Sequence, residues 1–175
     1  MQISYRKIKR TEAKDFRLIR LECLKTFPGK MGTSIEDEAE KPKLYFEELI
    51  ERESAEAMFY GAFEDAGLIG IAGFVRGDRI KTQHLGEIVA MYVKPGFQGH
   101  KVGENLLRAL LKSVFDLKII EQVYLTVFDD NIQAVRLYER IGFETFGVQK
   151  NYFKSGEKYW NRRFMQLMKE NFVEK

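Results

Sequence analysis

Hydrophobic and polar positions along the chain fall into short stretches of helical or strand-like period. Residues 3–8 alternate roughly with period two and predict an edge strand. Thr11 predicts a helix N-cap, with Glu12 in the first turn, and that helix ends before Pro28-Gly29. Residues 28–43 are polar and hold Gly, Pro and Ser, which predicts a loop, and residues 44–53 have the pattern of a second helix. Residues 58–63 and 68–75 predict two strands around Asp65-Ala66-Gly67, with the glycine in the left-handed position of a hairpin. A strand over residues 87–93 leads to Pro95 and a glycine-containing turn. A helix then starts near Gly103, with Leu106, Leu107, Leu110, Leu111 and Val114 on its inner stripe. Residues 119–127 are mostly apolar and predict a strand covered on both faces. Residues 130–141 predict a helix that Gly142 closes as a left-handed cap. Residues 143–148 and 159–168 predict a closing strand pair. The order predicts one α/β (α+β) domain over residues 1–175, a sheet with helices on both faces.

Composition narrows the function classes. At 175 residues, with 45% hydrophobic and 31% charged positions, the chain suits a soluble globular domain with a real core. A net charge of +3 does not mark a nucleic-acid binder, which clusters basic residues on one face. Arg6, Lys7, Lys9 and Arg10 are split by Ile8 and read as solvated surface. One cysteine, Cys23, rules out an internal disulfide and fits a reducing compartment. Its helical neighbours Leu18, Ile19 and Leu24 make it a small core residue rather than a nucleophile. There is no apolar signal core at the start, and the longest apolar run, residues 68–75, is too short to span a bilayer. The expectation is a cytoplasmic protein with no membrane or nucleic-acid partner.

The chemistry concentrates in GEIVAMYVKPGFQGHKVG, from Gly86 to Gly103. A strand that feeds a glycine-containing turn into a helix N-terminus builds an anion site. The first N–H groups of the helix lack partners, its dipole is positive there, and glycines allow close approach. The segment therefore points to a ligand carrying phosphates. A dinucleotide site would need G-x-G-x-x-G after the first strand of a βαβ unit; here the spacing differs and the turn lies mid-chain. Farther on, Asn131 and Tyr138 are seven residues apart and return to one helix face after two turns. Tyr138 fits either core packing beside Val135 and Ile141 or a positioned acid. Asn131 fits a helix cap, a ligand contact, or both. Glu87 sits on an otherwise apolar strand, where burial would raise its pKa towards that of a neutral-pH base; the alternative is a solvated strand-end carboxylate. His84 is a weaker candidate base.

Two of these segments carry a family resemblance. Gln98-Gly99-His100-Lys101-Val102-Gly103 is similar to the Q/R-x-x-G-x-G/A loop of the GNAT superfamily of acyl-CoA-dependent N-acetyltransferases. Asn131-x-x-Ala134-x-x-x-Tyr138-x-x-x-Gly142-Phe143 resembles that family's N-x-x-A-x-x-x-Y-x-x-x-G-F signature. The match runs from about residue 87 to 147. It implies a mostly antiparallel sheet and acetyl-CoA as cosubstrate. Gln98, Gly99, His100, Lys101, Val102, Gly103 and Glu104 would form the pyrophosphate cradle, and the backbone of Met91, Tyr92 and Val93 would pair with the pantetheine arm. It also implies that Asn131 helps hold the cofactor, that Tyr138 protonates the leaving thiolate, and that Glu87 is the base for direct acetyl transfer to a primary amine. No metal is required. Dimers are common among similar proteins, so a homodimer is an open expectation. Lys101 departs from the motif where a glycine usually stands. A helical φ, the favoured expectation, would make the lysine harmless there and let its ammonium reach phosphate, the alternative being a solvated lysine with no ligand role; a positive φ would cost about 1–2 kcal/mol. A regulator that binds acyl-CoA without turnover is the alternative function, which the presence of both Glu87 and Tyr138 argues against.

The acceptor is read from two further stretches. Glu36, Asp37, Glu38, Glu40, Glu47, Glu48, Glu51, Glu53 and Glu56 would attract a cationic amine such as a polyamine or a lysine side chain, or form a solvated helix face. Lys158-Tyr159-Trp160-Asn161-Arg162-Arg163 would bind a carboxylate of an amino acid or peptide terminus, or form an edge strand whose charges block aggregation.

Overall fold

In the computed structural model, which describes residues 2–174, the period-two stretch at the start is strand β1 (Ile3–Lys7), and it lies at a sheet edge as its alternation predicts. Three helices follow, α1 (Ala13–Thr26), α2 (Ile35–Ala39) and α3 (Tyr45–Glu51). Then come β2 (Ala57–Glu64), β3 (Gly67–Arg76) and β4 (Leu85–Val93). The chain continues through α4 (Val102–Phe115), β5 (Gln122–Phe128), α5 (Ile132–Ile141), β6 (Glu144–Ser155) and β7 (Lys158–Met168). The seven strands form one sheet in the order β1-β2-β3-β4-β5-β7-β6. All neighbours are antiparallel except β4 and β5, because the crossover helix α4 returns the chain to run β5 beside β4 in the same direction.

Helices cover both faces of the sheet, and each face has its own core. On one, α4 contributes Leu106, Leu107, Leu110, Leu111 and Val114, all with no exposed surface, and α5 adds Val135 and Ile141. Burying each leucine contributes about 1.5–3 kcal/mol, so this stripe fixes α4 against the sheet. On the other face, Phe16, Ile19 and Cys23 of α1 and Leu49 and Ile50 of α3 pack on Phe59, Ile71 and Tyr92. Among the described residues no helix is long and apolar enough to cross a membrane.

Several local expectations change. Thr11 lies inside a short 3-10 turn and does not cap α1; Glu12 instead accepts the Lys9 N–H at 2.8 Å and pairs with Arg6 at 2.7 Å. The 28–43 segment contains α2, because Ser34 and Asp37 form a reciprocal capping box. In the β2–β3 hairpin the left-handed residue is Asp65 (φ +51°), which tolerates it, rather than Gly67. β5 starts at Gln122 rather than Ile119. Its Val123-Leu125-Val127 face is buried, while on the other side of the sheet Tyr124 and Thr126 are half-covered and Phe128 is buried. Gly142 caps α5 at φ +114° as predicted.

Gly86 is fixed by close approach. A Cβ there would lie 2.6 Å from the Val75 carbonyl oxygen and against the Phe74 ring. Gly86→Ala is expected to destabilise the protein by about 1–3 kcal/mol through overpacking, read as a lower urea midpoint; an unchanged midpoint would contradict this packing.

Candidate active site

The site forms where β4 and β5 part. Their parallel register covers only Leu85↔Gln122, Gly86↔Val123 and Glu87↔Tyr124. Beyond Glu87, β4 bulges: Val89 faces Gly73 and Tyr92 faces Ile71, so three steps on β4 answer two on β3. Ala90 takes φ +54° at this point, a strain of about 1–2 kcal/mol for a residue with a Cβ. The bulge turns β4 away from β5 and opens a cleft of about 630 Å³ between them. The β4 edge facing that gap has no strand partner from Ile88 to Val93, which leaves main-chain groups available to an extended ligand.

The N-terminus of α4 lines one side of the cleft through Val102, Gly103 and Glu104. Their N–H groups belong to the first helical turn, where the helix itself supplies no acceptor. Gln98 shapes the preceding turn: its side-chain amide donates to the Val93 carbonyl at 2.9 Å and ties the turn to the end of β4. Gly99 takes φ +81°. The expectation of a helical Lys101 is overturned. Lys101 is the N-cap in the left-handed conformation, φ +59°, because the chain must reverse its path between Gly99 and the helix. His100 is exposed, with Nδ1 3.0 Å from the Gln98 carbonyl oxygen; neither it nor the weaker candidate base His84 lines the cleft, whereas the other residues expected to hold the cofactor or do the chemistry all do. The Glu104 carboxylate is held by Arg108 at 3.1 Å and Arg140 at 3.5 Å. Burial would raise its pKa, but these two guanidinium groups outweigh that and hold it below the usual range. Glu104 can therefore offer an anion its backbone N–H, not its side chain.

Tyr138 and Glu87 reach the gap from opposite faces of the sheet. Tyr138 belongs to the α4–α5 core, 5.8 Å edge-on to Phe143. Its hydroxyl has no hydrogen-bond partner among the described residues, and burial pushes its pKa up to about 12. It carries its proton throughout the neutral range. Asn131 caps α5, its side-chain oxygen accepting the Ala134 N–H at 3.4 Å, and it also lines the cleft. Glu87 is half-buried on the other face, beside Val89 and Tyr124. Burial raises its pKa above the usual carboxylate range, and the charge of Arg162 on β7 pulls it partway back. Met91, Tyr92 and Val93 line the cleft along the free β4 edge; the Tyr92 hydroxyl is tied to Glu22 at 2.9 Å.

The Glu87 side of the cleft differs from both acceptor readings. None of the acidic residues between 36 and 56 lines it. Glu47 is buried against Arg17 at 3.1 Å and accepts the Leu44 N–H, Glu38 holds Arg20 at 3.2 Å, and Lys43 pairs with Glu51. The 158–163 stretch is not an edge strand, since β7 lies between β5 and β6. Within it, Arg163 pairs with Asp129 at 2.6 Å and Arg162 donates to Thr126 Oγ1 at 3.1 Å.

The sequence model of the acetyltransferase (GNAT) family matches residues 18–143. This chain belongs to the GNAT acetyltransferase family. Among curated relatives, the spermine/spermidine N(1)-acetyltransferase of Bacillus subtilis (strain 168) is 36% identical over 56 residues, covering 32% of this chain and 37% of that protein. The N-alpha-acetyltransferase RimI of Mycobacterium tuberculosis is 34% identical over 96 residues, 55% of this chain and 58% of that one. The matched stretches thus span between about a third and three fifths of these relatives. A solved structure of yncA from Salmonella typhimurium with its cofactor acetyl-CoA superposes with TM-score 0.80 at 16% identity, covering 100% of this chain and 98% of that one, and shares the fold. The GNAT chain also carries features that its sequence did not disclose. The Ala90 bulge lacks a glycine to announce it. Arg162, sandwiched between the rings of Tyr152 (4.6 Å) and Phe164 (4.9 Å), is brought near Glu87 only by the β5–β7 register.

Proposed function

We propose that this GNAT protein transfers an acetyl group from acetyl-CoA to a primary amine by direct attack in a ternary complex. The observation that carries the reading is one cleft lined by Glu87, by Tyr138 and by the unpaired first turn of α4. Bound acetyl-CoA supplies an acyl thioester whose carbonyl carbon the amine attacks. The N–H groups of Val102, Gly103 and Glu104 suit the diphosphate, and the free β4 edge suits the extended arm. An alkyl ammonium with a pKa of about 10 has no lone pair at neutral pH, so the amine must lose a proton. Glu87 accepts that proton; as the C–N bond forms and the C–S bond breaks, the Tyr138 hydroxyl gives its proton to sulfur. Cys23 supports direct transfer: it is buried, lies off the cleft, and burial pushes its thiol pKa up to about 12. The test is release of free thiol from acetyl-CoA. Release that requires an added amine is expected; binding of acetyl-CoA without release would favour the regulatory reading, and no binding would end both.

Lys101 supplies a separate check. Glycine at this left-handed position removes about 1 kcal/mol of strain and also the ammonium at the cleft wall. Lys101→Gly is therefore expected to raise the unfolding midpoint and to weaken acetyl-CoA binding in calorimetry at low salt. That deficit should shrink as salt screens the lost charge. A deficit independent of salt would show that the ammonium does not meet phosphate.

A further inference from the structure

On the Glu87 side of the cleft the wall is aromatic and short of carboxylates. Two carboxylates line the whole cleft, Glu87 and Glu104, and Glu104 is neutralised by Arg108 and Arg140 at the α4 end. The remaining charged residues on the Glu87 side are Lys30 and Arg20, the latter paired with Glu38. Of the acidic residues between 36 and 56, Glu47 and Glu38 are turned inward to Arg17 and Arg20, Glu51 pairs with Lys43 at the surface, and Glu36, Asp37, Glu40, Glu48, Glu53 and Glu56 are exposed; none of the nine lines the cleft. Phe128 and Phe153 lie nearly parallel, 4.0 Å apart with an interplanar angle of 4°. Neither ring belongs to the two core clusters; Phe128 is buried between Phe153 and Trp160, and Phe153 carries the exposed part of the pair. Phe128 shares the sheet face of Tyr124, Thr126 and Glu87, and Phe153 remains half-exposed. Gly32 packs beside Phe153 so closely that a Cβ would sit 3.3 Å from the ring, and Phe27 and Phe46 also line this part of the cleft.

We infer that the acceptor of this cleft is a primary amine carried on an aromatic body, seated against the Phe128–Phe153 pair with its nitrogen towards Glu87, and not a polyamine. The inference rests on the acetyl-transfer reading above. A polyamine brings two or more ammonium groups, and the Glu87 side offers one partly desolvated carboxylate for them with Lys30 as a further cation on the same wall. An aromatic monoamine asks for one proton acceptor and a flat apolar wall, which is what the residues supply. The ring can belong to a free amine or to the first residue of a peptide.

The test compares three probes, 2-phenylethylamine, a tetrapeptide beginning with Phe, and spermidine, by thiol release and by calorimetry on protein loaded with CoA. The expected result is a kcat/KM at least tenfold higher for an aromatic probe than for spermidine, and the better of the two aromatic probes names the source. Phe153→Ala is expected to raise KM for that probe about threefold to tenfold with a smaller change in kcat, in the range of one aromatic contact. Phe153→Leu, which keeps apolar volume without the ring, should fall between, so a folding defect in the alanine variant does not decide the matter. Spermidine turned over as well as or better than both aromatic probes would overturn the inference and leave acetyl transfer standing. So would calorimetry showing neither aromatic probe bound to the CoA-loaded protein. Failure to bind acetyl-CoA at all would remove the parent reading and this one with it.

Discussion

Tyr138→Phe is expected to slow acetyl transfer by about 10²-fold, the usual worth of a positioned acid, while acetyl-CoA affinity stays within about twofold of the original. The hydroxyl makes no hydrogen bond among the described residues, so deleting it leaves no buried partner unsatisfied. The ring keeps its edge-on contact with Phe143 and its place among the core residues of α5. Stability should therefore hold, and the loss should appear in kcat. With its pKa pushed up to about 12, the phenol stays protonated at any pH the protein tolerates and can donate to a departing thiolate. A variant as fast as the original would remove Tyr138 from the chemistry and leave it a core residue.

Glu87→Gln is expected to cost about 10²–10³-fold in kcat/KM at neutral pH. The deficit should narrow as pH approaches about 10, where the amine sheds its own proton. The original protein should lose activity on the acid side as Glu87 protonates, and because burial raises its pKa that limb lies above the pH at which an ordinary glutamate titrates. The variant should lack that limb. Stability moves the other way. A carboxyl whose folded pKa exceeds its unfolded value binds protons more tightly when folded. Its contribution is fully favourable below the unfolded pKa and is lost as pH rises through the folded one. Above its folded pKa the ionised Glu87 thus burdens the fold, and there Gln should leave the unfolding midpoint unchanged or higher. A drop in both activity and stability would mark Glu87 as structural.

What the chain disclosed in advance was what repeats along one element. The α4 stripe and the Gly142 cap follow from a period of 3.6 and from one residue able to take φ +114°, and both are local. The residues singled out for the site, His84 and His100 excepted, gather in one cleft because β4, the N-terminus of α4 and one face of α5 flank the same gap. What stayed hidden depends on neighbours in space. Ala90 and Lys101 hold left-handed conformations that their side chains disfavour, imposed by the splay of β4 and by the turn into α4. The acidic stretch looked like a field because its counter-ions, Arg17 and Arg20, come from another helix. Phe128 and Phe153 meet only once the β5, β7 and β6 registers are set.

The most direct measurement is a crystal structure grown with acetyl-CoA. Density for the diphosphate within hydrogen-bonding distance of the Val102, Gly103 and Glu104 nitrogens, with the arm passing between β4 and β5 to bring sulfur beside Tyr138, is the expected result. Density elsewhere on the protein, or none in this cleft at saturating ligand, would contradict it.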